Sequence, residues 1–235
     1  MLPFIPSSSW FSDFAQRNEI PIKNAITLEE LRRKFCNCVT IRSFYTKNQN
    51  DFLTAHPLLL WNADEASHTS SKKFKVLAGS NLDNNVVSKT GPEPHFTTMY
   101  SFNAAGDKML PYIILPNVMD LLHSLSYDFQ AIYTTQRSGW MTLHLFSIWC
   151  VFFASKISQI RMELPTAFKN QGAVLIVDNH PSCINSEAIE FLISQNIKII
   201  TLPAHCSHVL QPFDVAVAVS VKAKITRARQ VDCNP

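Results

Sequence analysis

The chain has 235 residues, 46% of them hydrophobic and 17% charged, with a formal net charge of +3. Those values exclude a mainly disordered chain and give enough length for one main domain with a sizeable core. A net charge of +3 without a long Lys/Arg run is a weak bias toward polyanions and excludes a dedicated basic arm.

The six cysteines, at 36, 38, 150, 183, 206 and 233, come with no cleavable signal segment, so reduced thiols are expected. Cys36-Asn-Cys38 is C-x-C with no second pair at finger spacing, which argues against zinc. Only 5 glycines is few for a turn-rich β fold, so several helices are expected.

In chain order, Trp10, Phe11, Phe14 and Arg17 predict a short amphipathic turn ending before Pro21. Thr27 and Glu30 form a capping-box pattern, and Leu28, Leu31 and Phe35 continue it at helical spacing, predicting one helix to about residue 50. Pro57 to Asp64 reads as an apolar strand ending in Asp, and Lys73 to Leu77 as a second strand. Phe96–Asn103 and Met109–Leu115 flank Ala104-Ala-Gly-Asp107, the turn chemistry of a β-hairpin. Ser138-Gly-Trp140 is expected to open a long apolar helix through about Arg161. Its apolar stretch, Leu143 to Ala154, is short of the roughly 20 residues needed to span a bilayer and reads as a core helix. A strand at 173–178, a helix from Ser186 to Gln195, a strand from Lys198 to Leu202 and a final segment from Asp214 complete the order. This is an α/β pattern, a mixed sheet with helices on both faces.

The apolar run Gly172-Ala-Val-Leu-Ile-Val-Asp178 brings a carboxylate to the end of a buried strand. Asp64 closes Pro57-Leu-Leu-Leu-Trp-Asn-Ala-Asp64 in the same way, and Asp214 in Leu210-Gln-Pro-Phe-Asp214 supplies a third carboxylate. Two-metal phosphoryl transfer needs several carboxylate oxygens converging on ions roughly 3.5–4 Å apart, and Mg²⁺ or Mn²⁺ accepts such hard oxygen ligands. Taken singly, a strand-terminal Asp is more often a turn former, and Asp214 is equally readable as a helix N-cap. Glu65 falls on the opposite face from Asp64 by strand alternation, which favours a supporting or surface role. Asn179, His180, His205 and His208 sit beside the aspartates in sequence and are candidates to support them or simply to order the loops. Trp140 reads as a core aromatic or as a base-stacking platform. Lys222, Lys224, Arg227 and Arg229 read as phosphate contacts or as a solvated helix face.

Several words in the chain resemble the DDE-type transposase domain of the pogo/Tigger/jerky group, relatives of mariner and of centromere protein B. They are Val177-Asp-Asn-His-Pro-Ser, Leu202-Pro-Ala-His-Cys-Ser-His-Val-Leu-Gln-Pro-Phe-Asp214, Asn62-Ala-Asp-Glu65, Asn103-Ala-Ala-Gly-Asp-Lys-Met-Leu-Pro111 and Ser138-Gly-Trp-Met141. The resemblance covers about residues 55–225. It implies an RNase H-like fold, an active site of Asp64, Asp178 and Asp214 holding Mg²⁺ or Mn²⁺, DNA as partner, and a nuclear location; a homo-oligomer stays open and no membrane is involved. Trp10-Phe11 to Arg17 looks like the end of that group's helix-turn-helix module, so residues 1–50 are expected to be its remnant with a linker and 55–230 a C-terminally truncated catalytic domain. The chain departs from the group at Ala66, where Thr is frequent, at Cys183, where His is frequent, and at Ala216, where Gly is usual. The expected function is DNA strand cleavage and transfer by this endonuclease domain. Its competitors are the same fold kept as a DNA-binding or interaction scaffold without chemistry, and an RNase H-like phosphodiesterase acting on RNA or hybrids.

Overall fold

The structure, a computed structural model, describes residues 8–19, 30–69, 95–116, 130–180 and 185–231. It divides into a unit of residues 1–34 and a larger unit of residues 35–235. In the first, α1 (Ser8–Arg17) carries Trp10 and Phe14, one helical turn apart, with their rings stacked at 5.2 Å. The amphipathic segment read from the sequence is therefore a helix. The Thr27 end of the capping box and the Lys73–Leu77 strand lie outside the described residues.

The single helix expected to reach residue 50 is two. α2 (Glu30–Phe35) stops where Asn37 takes extended φ/ψ and accepts from the backbone N–H of Val39 and Thr40, the N-cap of a new helix, α3 (Cys38–Thr54). A side-chain oxygen that satisfies two orphan donors makes a fresh start cheaper than continuation. Phe44 of α3 packs with Val174, Ile200, Leu202 and Leu210, so α3 belongs to the larger unit.

A 3-10 turn at Pro57–Leu59 leads into β1 (Leu60–Thr69), followed by β2 (His95–Asn103), β3 (Tyr112–Leu115) and β4 (Ile132–Thr135). Then come α4 (Leu143–Glu163), β5 (Ala173–Val177), α5 (Ser186–Ser194), β6 (Ile197–Thr201), the short α6 (Ser207–Leu210), a π-helical turn at Phe213–Val217 and α7 (Ala218–Val231). Among the described residues the strands form one sheet in the order β4-β3-β2-β1-β5-β6. β1–β2 and β2–β3 are antiparallel, while β1–β5, β5–β6 and β3–β4 are parallel. The hairpin forms as expected, its turn held by the Asn103 side chain accepting from the N–H of Ala105 and Asp107, with Gly106 at φ 97°. β4 was not anticipated. Its Ile-Tyr-Thr-Thr is β-prone, but three half-buried residues and one exposed give no alternation long enough to register.

The long helix starts later than Ser138. Thr142 caps it by accepting from the Leu145 N–H, while Gln136–Gly139 form a turn closed by the Gly139 N–H donating to the Gln136 carbonyl at 2.9 Å, with Gly139 at φ 71°. α4 is long and apolar enough to cross a membrane by composition alone. Its apolar stripe is occupied, because Phe146, Trp149, Phe153 and Ile157 pack on Trp61, Met99, Tyr112 and Leu175 of the sheet, as the core-helix reading expected. α5 adds Ala188 and Leu192 to the same layer. The other face carries α3 and, farther along β1, Phe213 and Ala218 against Ala66. Helices thus cover both faces of a mixed α/β sheet.

Candidate active site

β1 does not end at Asp64, as the apolar run suggested. It continues to Thr69 because β2 pairs with it over the whole length, Asp64 facing Tyr100. What ends near Asp64 is the other partner: β5 pairs with β1 only from Leu60↔Val174 to Asn62↔Ile176. Asp64 therefore sits at a step in the sheet, where one edge of β1 has lost its neighbour. Asp178 lies one residue beyond β5 at the same step. Alternation puts Asn62, Asp64 and Ala66 on one face of β1, the face on which Phe213 packs against Ala66. Asp214 follows Phe213 in the first turn of the π-helical segment.

Two buried amides build this corner. Asn62 donates through Nδ2 to the Ile176 carbonyl (3.0 Å) and to Gln211 Oε1 (2.7 Å), and its Oδ1 accepts from the Phe213 N–H (3.0 Å). Gln211 Nε2 donates to the Ala63 carbonyl (3.2 Å). One pair thus fastens β1 to β5 and to the turn bearing Asp214. Neither amide was assigned a role from the sequence, although both lie in the motifs quoted. The available signal was a polar residue inside an apolar run, which burial obliges to find partners.

Asp178 Oδ1 accepts from its neighbour Asn179 N–H (2.6 Å) and from Ser207 Oγ (2.9 Å). Its orientation is thereby set by α6, another contributor that the sequence pattern did not single out. Asp64 carries the clearest electrostatic signature. Burial pushes its carboxyl from 3.8 up to about 7, and the charges of Asp214 and, more weakly, Asp178 push the same way, against hydrogen bonds from the Glu65 backbone and the Gln211 side chain. Asp64 therefore feels the charges of both other aspartates.

The donor set is three hard carboxylates whose mutual repulsion a divalent cation would relieve. That chemistry fits a metal, although among the described residues no three His, Cys, Asp or Glu side chains stand close enough to enclose an ion as they are. A cleft of about 340 Å³ opens at the step, lined by Asp64, Glu65, Asp178, His180, Met99 and Trp140 among others. Glu65 points to the face opposite Asp64 and is half-buried. Asn179 acts through its backbone, and His180 borders the cleft. His205 is elsewhere engaged, at φ 63° with its ring stacked on Phe35 at 5.4 Å; His208 is half-buried on α6. Lys222, Lys224 and Arg227 are exposed along α7. Of the departures, Ala66 fills the contact with Phe213 and Ala218, Ala216 is exposed in the π-helical turn, and Cys183 lies outside the described residues.

Residues 93–231 match the family model described as DDE superfamily endonuclease. In fold the chain is similar to a pre-cleavage Mos1 transpososome, with a TM-score of 0.55 at 13% identity over 91% of this chain and 56% of that chain. It is likewise similar to the Mos1 mariner paired end complex with Mn (0.56, 11%, 92% and 56%) and to that complex with Mg (0.52, 11%, 92% and 57%). The chain spans little more than half the length of those chains. At these identities the likeness is one of fold, and the fold is RNase H-like.

Proposed function

The chain belongs to the DDE superfamily endonuclease family, and on that premise we propose that it is a transposase-derived domain of the pogo/Tigger/jerky group that cleaves and transfers DNA strands in the nucleus. The observation that carries this reading is Asp64, half-buried at the sheet step, whose proton affinity is raised by burial and by the charges of Asp214 and Asp178. Carboxylates that repel one another, Asp64 and Asp178 half-buried and Asp214 exposed, are costly to hold together unless a cation joins them. Asp64, Asp178 and Asp214 would hold Mg²⁺ or Mn²⁺, and the fold-level likeness to Mos1 complexes containing Mn and Mg supports that choice. A divalent ion bound there supplies charge neutralisation and Lewis acidity at a phosphoryl oxygen.

The chain's own residues do the positioning. Asn62 and Gln211 fix the distance between β1 and the Asp214 turn, Ser207 and the Asn179 N–H orient Asp178, and His180 borders the cleft. In the proposed reaction water attacks phosphorus as the bond to the 3′-oxygen breaks, leaving a 3′-hydroxyl and a 5′-phosphate; that 3′-hydroxyl then attacks a phosphodiester of the target strand, forming the new ester bond as the target's own phosphorus–3′-oxygen bond breaks and leaves a 3′-hydroxyl on the target. Supercoiled plasmid incubated with the purified chain tests this without knowledge of the DNA ends. Nicking in Mn²⁺ that EDTA abolishes is expected, and no nicking in Mg²⁺ or Mn²⁺ by the folded chain would replace it with the scaffold reading.

A further inference from the structure

Trp140 is 53% exposed, a large aromatic side chain left open beside the cleft. Its ring lies on His95, centroids 3.8 Å apart and planes 28° from parallel. That stack is held from both sides. Gly139 takes φ 71°, and a Cβ on it would collide with the His95 carbonyl oxygen, so only glycine lets the chain before Trp140 approach the start of β2 this closely. From below, Thr97 Oγ1 lies 3.3 Å from His95 Nε2 and braces the imidazole. Burial lowers the pKa of His95, which keeps the ring neutral and suited to stacking at pH 7.

The pair stands at the cleft of Asp64 and Asp178, which Trp140 itself lines. A rigid aromatic with one face covered and the other open is the form in which proteins receive a base that has left its helical stack, whatever its identity. We propose that Trp140, backed by His95, is a stacking platform for an unstacked base of the DNA strand whose phosphate is presented to the aspartates. The proposal rests on the endonuclease reading for what the cleft holds, and assigns to Trp140 the positioning of substrate.

Anisotropy of a labelled single-stranded oligonucleotide, titrated with the full chain in EDTA, isolates binding from chemistry. Loss of base stacking in Trp140→Ala is expected to weaken binding roughly 10-fold or more, whereas Trp140→Phe, which keeps an aromatic face, should stay within about threefold of the parent. Emission of the parent should be quenched on binding and that of Trp140→Phe less so, which reads the contact even if Trp140→Ala folds poorly. Binding by Trp140→Ala equal to the parent's, equal losses in both folded variants, or no single-strand binding by the parent would overturn the platform. Plasmid nicking separates the two readings. Binding through Trp140 without metal-dependent cutting would leave the platform and remove the nuclease, while cutting undiminished in Trp140→Ala would do the reverse.

Discussion

Asn62 and Gln211 hydrogen-bond at 2.7 Å across 149 residues of sequence, inside the protein. Between them they also hold the Ile176 and Ala63 carbonyls and the Phe213 N–H. Truncating either leaves buried partners unmet, at about 1–3 kcal/mol per orphaned group. Asn62→Ala and Gln211→Ala should each lower stability by that order, and the double variant by less than their sum, since both remove one shared network. Urea denaturation of the four proteins checks this; strict additivity would mean that the two amides act independently.

Asp64 gives stability a pH dependence of known sign. Held at about 7 instead of 3.8, its carboxyl binds a proton more tightly in the folded than in the unfolded chain. That contribution is fully present below pH 3.8 and is lost as pH rises through 7, a cost of up to on the order of 4 kcal/mol for the ionised form. Asp64→Asn cannot ionise, so it should be more stable than the parent at pH 8 and little different at pH 3.5. Unfolding free energies at the two pH values decide it, and an equal difference at both would show that Asp64 titrates normally.

Metal should reverse part of that cost. A ligand bound only by the folded state raises its stability, and here the ion must displace the Asp64 proton. Mn²⁺ is expected to raise the melting temperature of the parent at pH 8, less at pH 6, and negligibly in Asp64→Asn. A rise that is the same in the variant would place the ion elsewhere.

The two left-handed glycines should differ under substitution. Gly106→Ala meets no neighbour but keeps φ 97°, whereas Gly139→Ala adds a collision with the His95 backbone to φ 71°. Strain of about 1–3 kcal/mol is expected at the first and a larger loss at the second, with the Trp140 stack disturbed. Thermal melts and tryptophan emission of the two variants provide the comparison, and equal losses would contradict the close approach.

Legibility varied with how local the determinant is. The apolar run before Asp178 and the Ala-Ala-Gly-Asp hairpin turn are written in neighbouring residues, and the structure places the strands within three residues of expectation. The break between α2 and α3 depends on one Asn side chain choosing a cap over continuation, an alternative that helical spacing does not reveal. The full length of β1 depends on β2, which pairs as far as Thr69, and so is a tertiary effect. At the site, the carboxylates stand out as charges at the ends of apolar runs. Asn62, Gln211 and Ser207 do not, because their importance lies in partners 149 and 29 residues away.

The central claim is that Asp64, Asp178 and Asp214 act as one metal-dependent phosphodiester site. Plasmid nicking in Mn²⁺ by the parent and by the three single Asp→Asn variants, each confirmed folded, tests it most directly. Nicking by the parent and near-complete loss in all three is the predicted result. Cutting at the parent's rate by any one of them would remove that residue from the site, and cutting by all three would contradict the account.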